Sequence, residues 1–151
     1  MKRILMVCLG NICRSPLAEG ILKSKVNSNE VLVDSAGTAA YHVGNLPDPR
    51  SIETGLTYGI DIRNQRARAF SQSDFDNFDL IYAMDRSNYK NIINLARNAE
   101  DIAKVSLILN EIDSTEDREV PDPYYGGTSG FENVYQLLDA ACERIAVKIL
   151  N

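Results

Sequence analysis

Short apolar runs alternate with segments of helical periodicity along this chain, and this alternation constrains the fold more than any other feature. Continuous apolar runs of this length are typical of buried strands. The runs span residues 3–8, 31–33, 79–84 and 105–109. Because strands that alternate with helices form parallel sheets covered on both faces, we predict an α/β fold. We expect an open, four-stranded parallel sheet in the flavodoxin-like order 2-1-3-4, with helices on both faces.

Helical segments are predicted in the spaces between these runs. The first begins at residue 15, where apolar side chains recur at the three-and-four spacing of an amphipathic helix. Further helices are expected over residues 50–58, 71–78, 86–97 and 131–150, with loops rich in Pro and Gly over 38–49 and 110–130. The sequence has no internal repeat, and 151 residues fit one compact core. Residues 1–151 are therefore predicted to form a single domain.

The composition argues against several classes of function. Hydrophobic residues make up 44% of the chain and charged residues 25%, as in an average globular protein. No apolar run approaches the ~20 residues of a membrane span, so no membrane insertion is expected. A formal net charge of -5 argues against a nucleic-acid partner. The apolar run after Lys2 and Arg3 is too short for a signal peptide, and we expect a cytoplasmic protein.

The cysteine and histidine content indicates free thiols and no metal centre. Three cysteines in a chain with an ample core do not form the disulfide framework of a small secreted domain. The only histidine, His42, has no second histidine at ligand spacing, and we interpret it as solvated or as part of a cleft rim. The sequence therefore predicts no metal and no cofactor.

The loop between the first strand and the first helix has the composition of an anion-binding cup. Residues 8–16 read Cys-Leu-Gly-Asn-Ile-Cys-Arg-Ser-Pro. Between a strand end and a helix start, successive backbone N–H groups can point inward, and the helix N-terminus adds partial positive charge. Gly10 and Asn11 are residue types that tolerate the left-handed backbone angles of a tight curl. A phosphate-binding site is predicted here.

Two side chains of this loop carry the predicted chemistry. Arg14 has a planar, permanent charge that can grip two phosphate oxygens. Cys8 lies at the base of the cup, where the surrounding N–H groups and Arg14 favour a thiolate that attacks phosphorus. The spacing alone is weak, since it arises by chance in roughly one chain in five of this composition, and Cys8 can also be a plain buried residue. The Walker ending Gly-Lys-Ser/Thr is absent, which leaves nucleotide binding little support.

The stretch from Val7 to Glu19 resembles the signature of the low-molecular-weight protein tyrosine phosphatases. Similar matches occur at residues 35–38, 41–44, 84–88 and 122–126, in an order that spans nearly the whole chain. The resemblance implies hydrolysis of phosphotyrosine through a phosphocysteine on Cys8, with inorganic phosphate as the product. Phosphotyrosine proteins are the implied substrates, and a tyrosine kinase that the enzyme opposes is an implied partner.

The resemblance also assigns roles to residues beyond Cys8 and Arg14. Asp122 is the implied general acid and base, although Asp-Pro is also an ordinary turn former. Ser15 is the implied donor to the Cys8 thiolate, although it can also cap the helix. The substrate-binding set further comprises loop residues Leu9, Gly10, Asn11, Ile12 and Cys13, and Tyr41 and Tyr124 as aromatic walls or surface residues.

The support of the loop departs from the family pattern. Many relatives carry a histidine in the stretch that corresponds to residues 62–68, where this chain has Gln65. We expect Gln65 to replace that histidine by a hydrogen bond to Asn11. Asp85, within the matching stretch 84–88, is interpreted as a structural or loop-supporting carboxylate.

Two other classes of protein are compatible with the cysteine loop. Thiol-dependent arsenate reductases share the fold but need two further cysteines for a disulfide relay, and only Cys142 remains, in the predicted last helix. A catalytically silent phosphate-binding module is disfavoured because Cys8, Arg14 and Asp122 are all present. Cys13 is expected either to form a protective disulfide with Cys8 or to pack as a small apolar residue.

Overall fold

The computed structural model describes residues 1–124 and 128–150, and it has the predicted α/β architecture. Four parallel strands form one sheet in the order β2-β1-β3-β4, which confirms the predicted strand order. The strands are β1 (Lys2–Cys8), β2 (Val31–Gly37), β3 (Leu80–Ala83) and β4 (Val105–Leu107). The helices are α1 (Arg14–Lys25), α2 (Pro49–Thr57), α3 (Asp74–Asn77), α4 (Arg86–Ile93), α5 (Ala99–Ala103) and α6 (Thr128–Leu150), with a 3-10 helix at Ile108–Glu111.

The side chains of β1 alternate between two hydrophobic cores, one on each face of the sheet. Ile4, Met6 and Cys8 belong to the core beneath α1 and α6. Leu5 and Val7 belong to the opposite core, with side chains of α3 and α4. Each of the five is at most 2% exposed. A strand buried on both faces needs an unbroken apolar sequence, and its period of two directs Cys8 toward α1.

The helix predicted over residues 86–97 ends four residues early, and a short helix that was not predicted follows it. α4 ends at Ile93, and α5 begins after Asn98. The Asn98 side chain accepts a hydrogen bond from the backbone N–H of Asp101, which caps the new helix. An N-cap satisfies a backbone donor that has no partner inside its own helix, and so fixes where α5 starts.

The last strand and the last helix also differ at their ends from the prediction. β4 stops at Leu107 because the chain turns into the 3-10 helix at residue 108. α6 begins at Thr128 instead of residue 131. In the described part of the chain, no helix is long and apolar enough to cross a membrane.

Candidate active site

The loop between β1 and α1 borders a cavity of about 200 Å³. β1 is a central strand, and the chain leaves it first toward β2 and later toward β3 on its other side. Such a reversal of strand order opens a crevice at the carboxyl edge of a sheet. The cavity brings together Cys8, Arg14 and Asp122. Its other lining residues are Leu9, Gly10, Ile12, Cys13, Tyr41, His42 and Tyr124.

The Cys8 sulfur is held by two groups of its own loop. The backbone N–H of Asn11 donates to Sγ at 3.3 Å, and the Ser15 hydroxyl lies 3.0 Å from Sγ. Asn11 Nδ2 donates to Ser15 Oγ at 2.8 Å, so the hydroxyl proton is directed either to the sulfur or to the Ala36 carbonyl, which lies 3.5 Å from Oγ. The alternative role of Ser15 as the helix cap is wrong, since α1 begins at Arg14 and Cys13 occupies the cap position.

The curl of the loop depends on Asn11. Its φ of 57° lies in the left-handed region, as predicted for this residue type. The same prediction for Gly10 is wrong, since the glycines with positive φ in the described residues are Gly44 and Gly59. Gly10 is needed for another reason, because a Cβ at this position would lie 2.9 Å from Cδ2 of His42. His42 therefore packs against the loop at the cavity rim.

The Asn11 side chain connects the loop to two neighbouring segments. Its Oδ1 accepts a hydrogen bond from the backbone N–H of Arg68 at 3.0 Å, and its Nδ2 also donates to Ser35 Oγ at 3.0 Å. Ser35 in turn donates to the buried carboxylate of Glu19 at 2.7 Å. Sequence reasoning assigned no role to Ser35, Glu19 or Arg68, although the first two lie inside stretches that resemble the family.

The expected hydrogen bond from Gln65 to Asn11 is absent, and this expectation is wrong. Gln65 Nε2 donates instead to the carbonyl of Pro16, in the first turn of α1, at 3.0 Å. The acceptor oxygen of Asn11 is already paired with the Arg68 backbone. Gln65 therefore supports the helix that follows the loop, and the loop itself is braced by a backbone group.

Arg14 is a buried cation that faces the cavity. Its side chain is 3% exposed, and Nη1 donates to Asp85 Oδ2 at 2.6 Å and to the Val120 carbonyl at 2.9 Å. Burial opposes the charge, but the negative charges of Cys8, Asp85 and Asp122 raise the pKa of Arg14 above its ordinary value. The guanidinium therefore stays protonated and oriented, and the loop-supporting role expected for Asp85 fits this contact.

Asp122 lies across the cavity from the loop. Its carboxylate is 3.8 Å from Arg14 Nη2, and its side chain is 39% exposed. Oδ1 accepts a hydrogen bond from the backbone N–H of Tyr124 at 3.0 Å, so the residue forms a tight turn and also faces the cavity. The turn-forming interpretation of this Asp-Pro therefore applies, and the acid role stays a prediction. The predicted match continues to residue 126, but residues 125–127 lie outside the described residues.

The other two cysteines are protonated thiols. Burial, together with the nearby charges of Asp48, Cys8 and Asp122, raises the pKa of Cys13 to about 12. Burial also raises the pKa of Cys142, which lies inside α6 near the carbonyl of Ala18. All three cysteines are free, and only Cys8 and Cys13 line the cavity among the described residues.

The mouth of the cavity is largely apolar. Tyr41 is 78% exposed, Tyr124 41% and Leu9 40%. These side chains lie beside the loop and can contact a planar group that enters toward Cys8. Within residues 1–124 and 128–150, no group of three or more His, Cys, Asp or Glu side chains could hold a metal ion.

A loop that connects the first strand of a parallel α/β sheet to a helix N-terminus, with a buried arginine facing its cavity, is an arrangement that suits phosphate binding. A sequence model of the family "Low molecular weight phosphotyrosine protein phosphatase" matches residues 3–151. The chain belongs to this family. It is accordingly a protein tyrosine phosphatase, whose substrates are phosphotyrosine proteins and whose product is phosphate.

Individual relatives match over nearly their whole length. A putative low-molecular-weight protein-tyrosine-phosphatase from Synechocystis is 44% identical over 151 residues, covering 97% of this chain and 96% of the relative. A phosphatase from Schizosaccharomyces pombe is 46% identical over 143 residues, covering 91% and 90%. A crystal structure of a protein tyrosine phosphatase from Entamoeba histolytica, with Hepes in the active site, superimposes with a TM-score of 0.93 at 37% identity, covering 99% and 97%.

Proposed function

We propose that this chain, as a single phosphatase domain over residues 1–151, hydrolyses phosphotyrosine through a phosphocysteine intermediate. Cys8 is the nucleophile, Arg14 binds the phosphate, and Asp122 is the general acid and then the general base. The observation that carries the proposal is that these three side chains face one cavity. The Asn11 N–H donates to the Cys8 sulfur at 3.3 Å and the Ser15 hydroxyl lies 3.0 Å from it, and these two groups hold the sulfur in place for attack.

In the first step the Cys8 thiolate attacks phosphorus and the bond from phosphorus to the tyrosine oxygen breaks. The electron pair of that bond goes to the phenolic oxygen, which takes a proton from the Asp122 carboxyl group. Arg14 and the N–H groups of loop residues 9–13 bind the phosphoryl oxygens and stabilise the charge that develops on them.

In the second step water attacks the phosphocysteine. The Asp122 carboxylate, now deprotonated, accepts a proton from the water as the new bond to phosphorus forms. The sulfur–phosphorus bond breaks, its electron pair returns to Cys8, and inorganic phosphate leaves. The two steps use only the chain's own residues, the substrate and water, so the proposal includes no cofactor.

The substrate's aromatic ring is proposed to lie between Tyr41 and Tyr124, with Leu9 as an apolar surface beside it. We also infer that the enzyme acts in the cytoplasm and opposes a tyrosine kinase there. Three free cysteines fit a reducing compartment.

The direct test is to trap the intermediate and to compare substrates. Acid quenching during turnover of a phosphotyrosine peptide should yield protein phosphorylated on Cys8, located by mass spectrometry of its peptides. Cys8→Ser should lose turnover but still bind phosphate. A matched phosphoserine peptide should give a kcat/KM lower by about 100-fold or more, since its short side chain places phosphorus too far from the cavity floor. Comparable values for the two peptides would contradict the proposal.

The alternative function, arsenate reduction, is tested by adding arsenate and a thiol to the same enzyme. The alternative needs a relay of two further thiols, but Cys142 is buried in α6 with its sulfur near the Ala18 carbonyl. We expect no thiol-dependent reduction of arsenate, and competitive inhibition by arsenate as a phosphate analogue. A silent phosphate-binding module would bind phosphate without hydrolysing either peptide.

A further inference from the structure

Arg50, in the first turn of α2, joins the segment that bears Asp122 to the catalytic loop. Its Nη1 donates to the carbonyl oxygen of Tyr124 at 3.1 Å. Its guanidinium also lies over the Tyr124 ring, 5.3 Å from the ring centroid, and over Phe131 of α6 at 4.7 Å. Cation–π contacts of this length add to the hydrogen bond. One side chain therefore holds both the backbone and the ring of Tyr124.

The other side of the guanidinium is fixed to Asp48. Nε and Nη2 donate to the two Asp48 oxygens, each at 3.0 Å, and the Arg50 backbone N–H donates to Oδ1 at 2.8 Å. The Asp48 backbone N–H donates to the carbonyl of Ile12, inside the catalytic loop, at 2.8 Å. Burial alone raises the pKa of Asp48, but the hydrogen bonds from Arg50 hold it below its ordinary value, so the pair stays ionised.

The position of Asp122 depends on this connection through Tyr124. Asp122 Oδ1 accepts the backbone N–H of Tyr124, and Arg50 binds the carbonyl oxygen and the ring of the same residue, so the carboxylate is tied to a residue that Arg50 holds. The contact from Asp122 to Arg14 is 3.8 Å, which is longer than a hydrogen bond. Arg50 itself does not appear among the described residues that line the catalytic cavity.

We propose that Arg50 is a positioning residue that holds the turn at residues 122–124 against the catalytic loop and so orients the Asp122 carboxyl group toward the leaving oxygen. This inference rests on the proposed role of Asp122. A carboxyl group displaced by about 1 Å still binds its neighbours but transfers its proton far less effectively. The effect of losing Arg50 is therefore confined to substrates that need that proton.

The chain contains a matched control for Arg50. Arg63 makes the same three contacts with a carboxylate two residues earlier, donating to Asp61 from its backbone N–H, Nε and Nη2 at 3.0, 3.0 and 2.8 Å. In the part of the chain that the structure describes, neither arginine lines the catalytic cavity; Arg50 donates to the Tyr124 carbonyl, whereas Arg63 pairs with Asp61. Arg63→Gln thus removes an ion pair of the same geometry, in a more exposed place, and leaves the contacts of Arg50 with Tyr124 intact.

The experiment compares kcat/KM for phenyl phosphate, a poor leaving group, with that for dinitrophenyl phosphate, an acidic one. Arg50→Gln should lower the value for phenyl phosphate by about tenfold and that for dinitrophenyl phosphate by less than about twofold. Arg63→Gln should change neither, and Arg50→Lys should recover part of the loss. Adding Arg50→Gln to Asp122→Ala should cause no further loss on phenyl phosphate, because both changes remove the same step.

If Arg50→Gln lowers kcat/KM equally for both substrates, or lowers it for neither, the positioning role is overturned. If Asp122→Ala is selective for phenyl phosphate while Arg50→Gln is not, only the inference about Arg50 fails. If Asp122→Ala lowers kcat/KM equally for both substrates, the acid role in the proposed function fails, and the role of Arg50 fails with it. Thermal unfolding of each variant separates a folding defect from a catalytic one.

Discussion

The Asp85 carboxylate binds Arg14 with one oxygen and begins a helix with the other. Oδ2 accepts from Arg14 Nη1 at 2.6 Å, while Oδ1 accepts from the backbone N–H of Asn88 at 2.8 Å and caps α4. The helix fixes the carboxylate, and the carboxylate fixes the arginine. The orientation of a phosphate-binding group is thereby set by an element that lies 71 residues away in the sequence.

Two substitutions of Asp85 should separate these functions. Asp85→Asn keeps an oxygen for the cap but removes the negative charge nearest to buried Arg14, which we expect to destabilise the free enzyme by about 2 kcal/mol. Asp85→Ala also loses the cap, for about 1 kcal/mol more. Urea unfolding measures both. Equal stability of the two variants would show that the cap contributes nothing.

Both variants of Asp85 should lower kcat/KM by about tenfold or more, because Arg14 no longer presents a fixed fork to the phosphate. The loss should be the same for phenyl phosphate and dinitrophenyl phosphate, since every substrate carries the same phosphoryl group. A loss confined to phenyl phosphate would place Asp85 in proton transfer instead.

Asp122→Ala should lower kcat/KM for a phosphotyrosine peptide by about 10² or more, and that for dinitrophenyl phosphate by much less. The reason is that an acidic phenol leaves without a proton from the enzyme. Asp122→Asn is the matched control, because its amide oxygen keeps the bond to the Tyr124 backbone. If Asn restores the peptide activity, the turn matters and the carboxyl proton does not.

Thiol labelling should separate Cys8 from the other two cysteines. A thiol stays protonated at any pH well below its pKa. Because burial raises the pKa of Cys13 to about 12, this thiol stays neutral through pH 9. Iodoacetate at neutral pH should therefore alkylate Cys8 first, and phosphate should protect it. Peptide mapping by mass spectrometry at pH 7 and pH 9 checks this. Rapid labelling of Cys13 at pH 7, with Cys8 unmodified, would contradict it.

Peroxide should inactivate the enzyme reversibly. It oxidises the Cys8 thiolate to a sulfenic acid and is itself reduced to hydroxide; the Cys13 thiol then attacks that sulfur, water leaves and a disulfide forms. Both residues line the same cavity. Dithiothreitol should restore activity in the wild-type enzyme and in Cys142→Ala, but not in Cys13→Ser. Full recovery of Cys13→Ser would exclude Cys13 as the protecting thiol.

The fold could be predicted from sequence because its signals are local. The apolar run of β1 is continuous since both of its faces are buried, and the alternation of strands with helices predicts a parallel sheet covered on both faces. The predicted ends of helices and strands were less accurate than their positions along the chain. The helix predicted over residues 86–97 runs four residues past the end of α4, and α5, which begins after the capping side chain of Asn98, was not predicted.

The catalytic loop could be predicted from the sequence for the same reason, since its residues are near neighbours in the chain. They are Cys8, Asn11, Arg14 and Ser15. The family resemblance added Asp122, which no local pattern connects to that loop. The expectation for Gln65 was wrong because the group that binds Asn11 Oδ1 is a backbone N–H. Every residue except proline carries such a donor, so its position leaves no mark in the sequence.

The sequence by itself determined the order of strands and helices and the chemistry of residues 8–16, because periodicity and loop composition act between near neighbours. The tertiary structure alone decided which distant groups hold that chemistry in place. Asp85 on Arg14 and Arg50 on Tyr124 are pairs formed across 71 and 74 residues. Hydrogen bonds of this kind depend on distances and angles that exist only after the elements pack together.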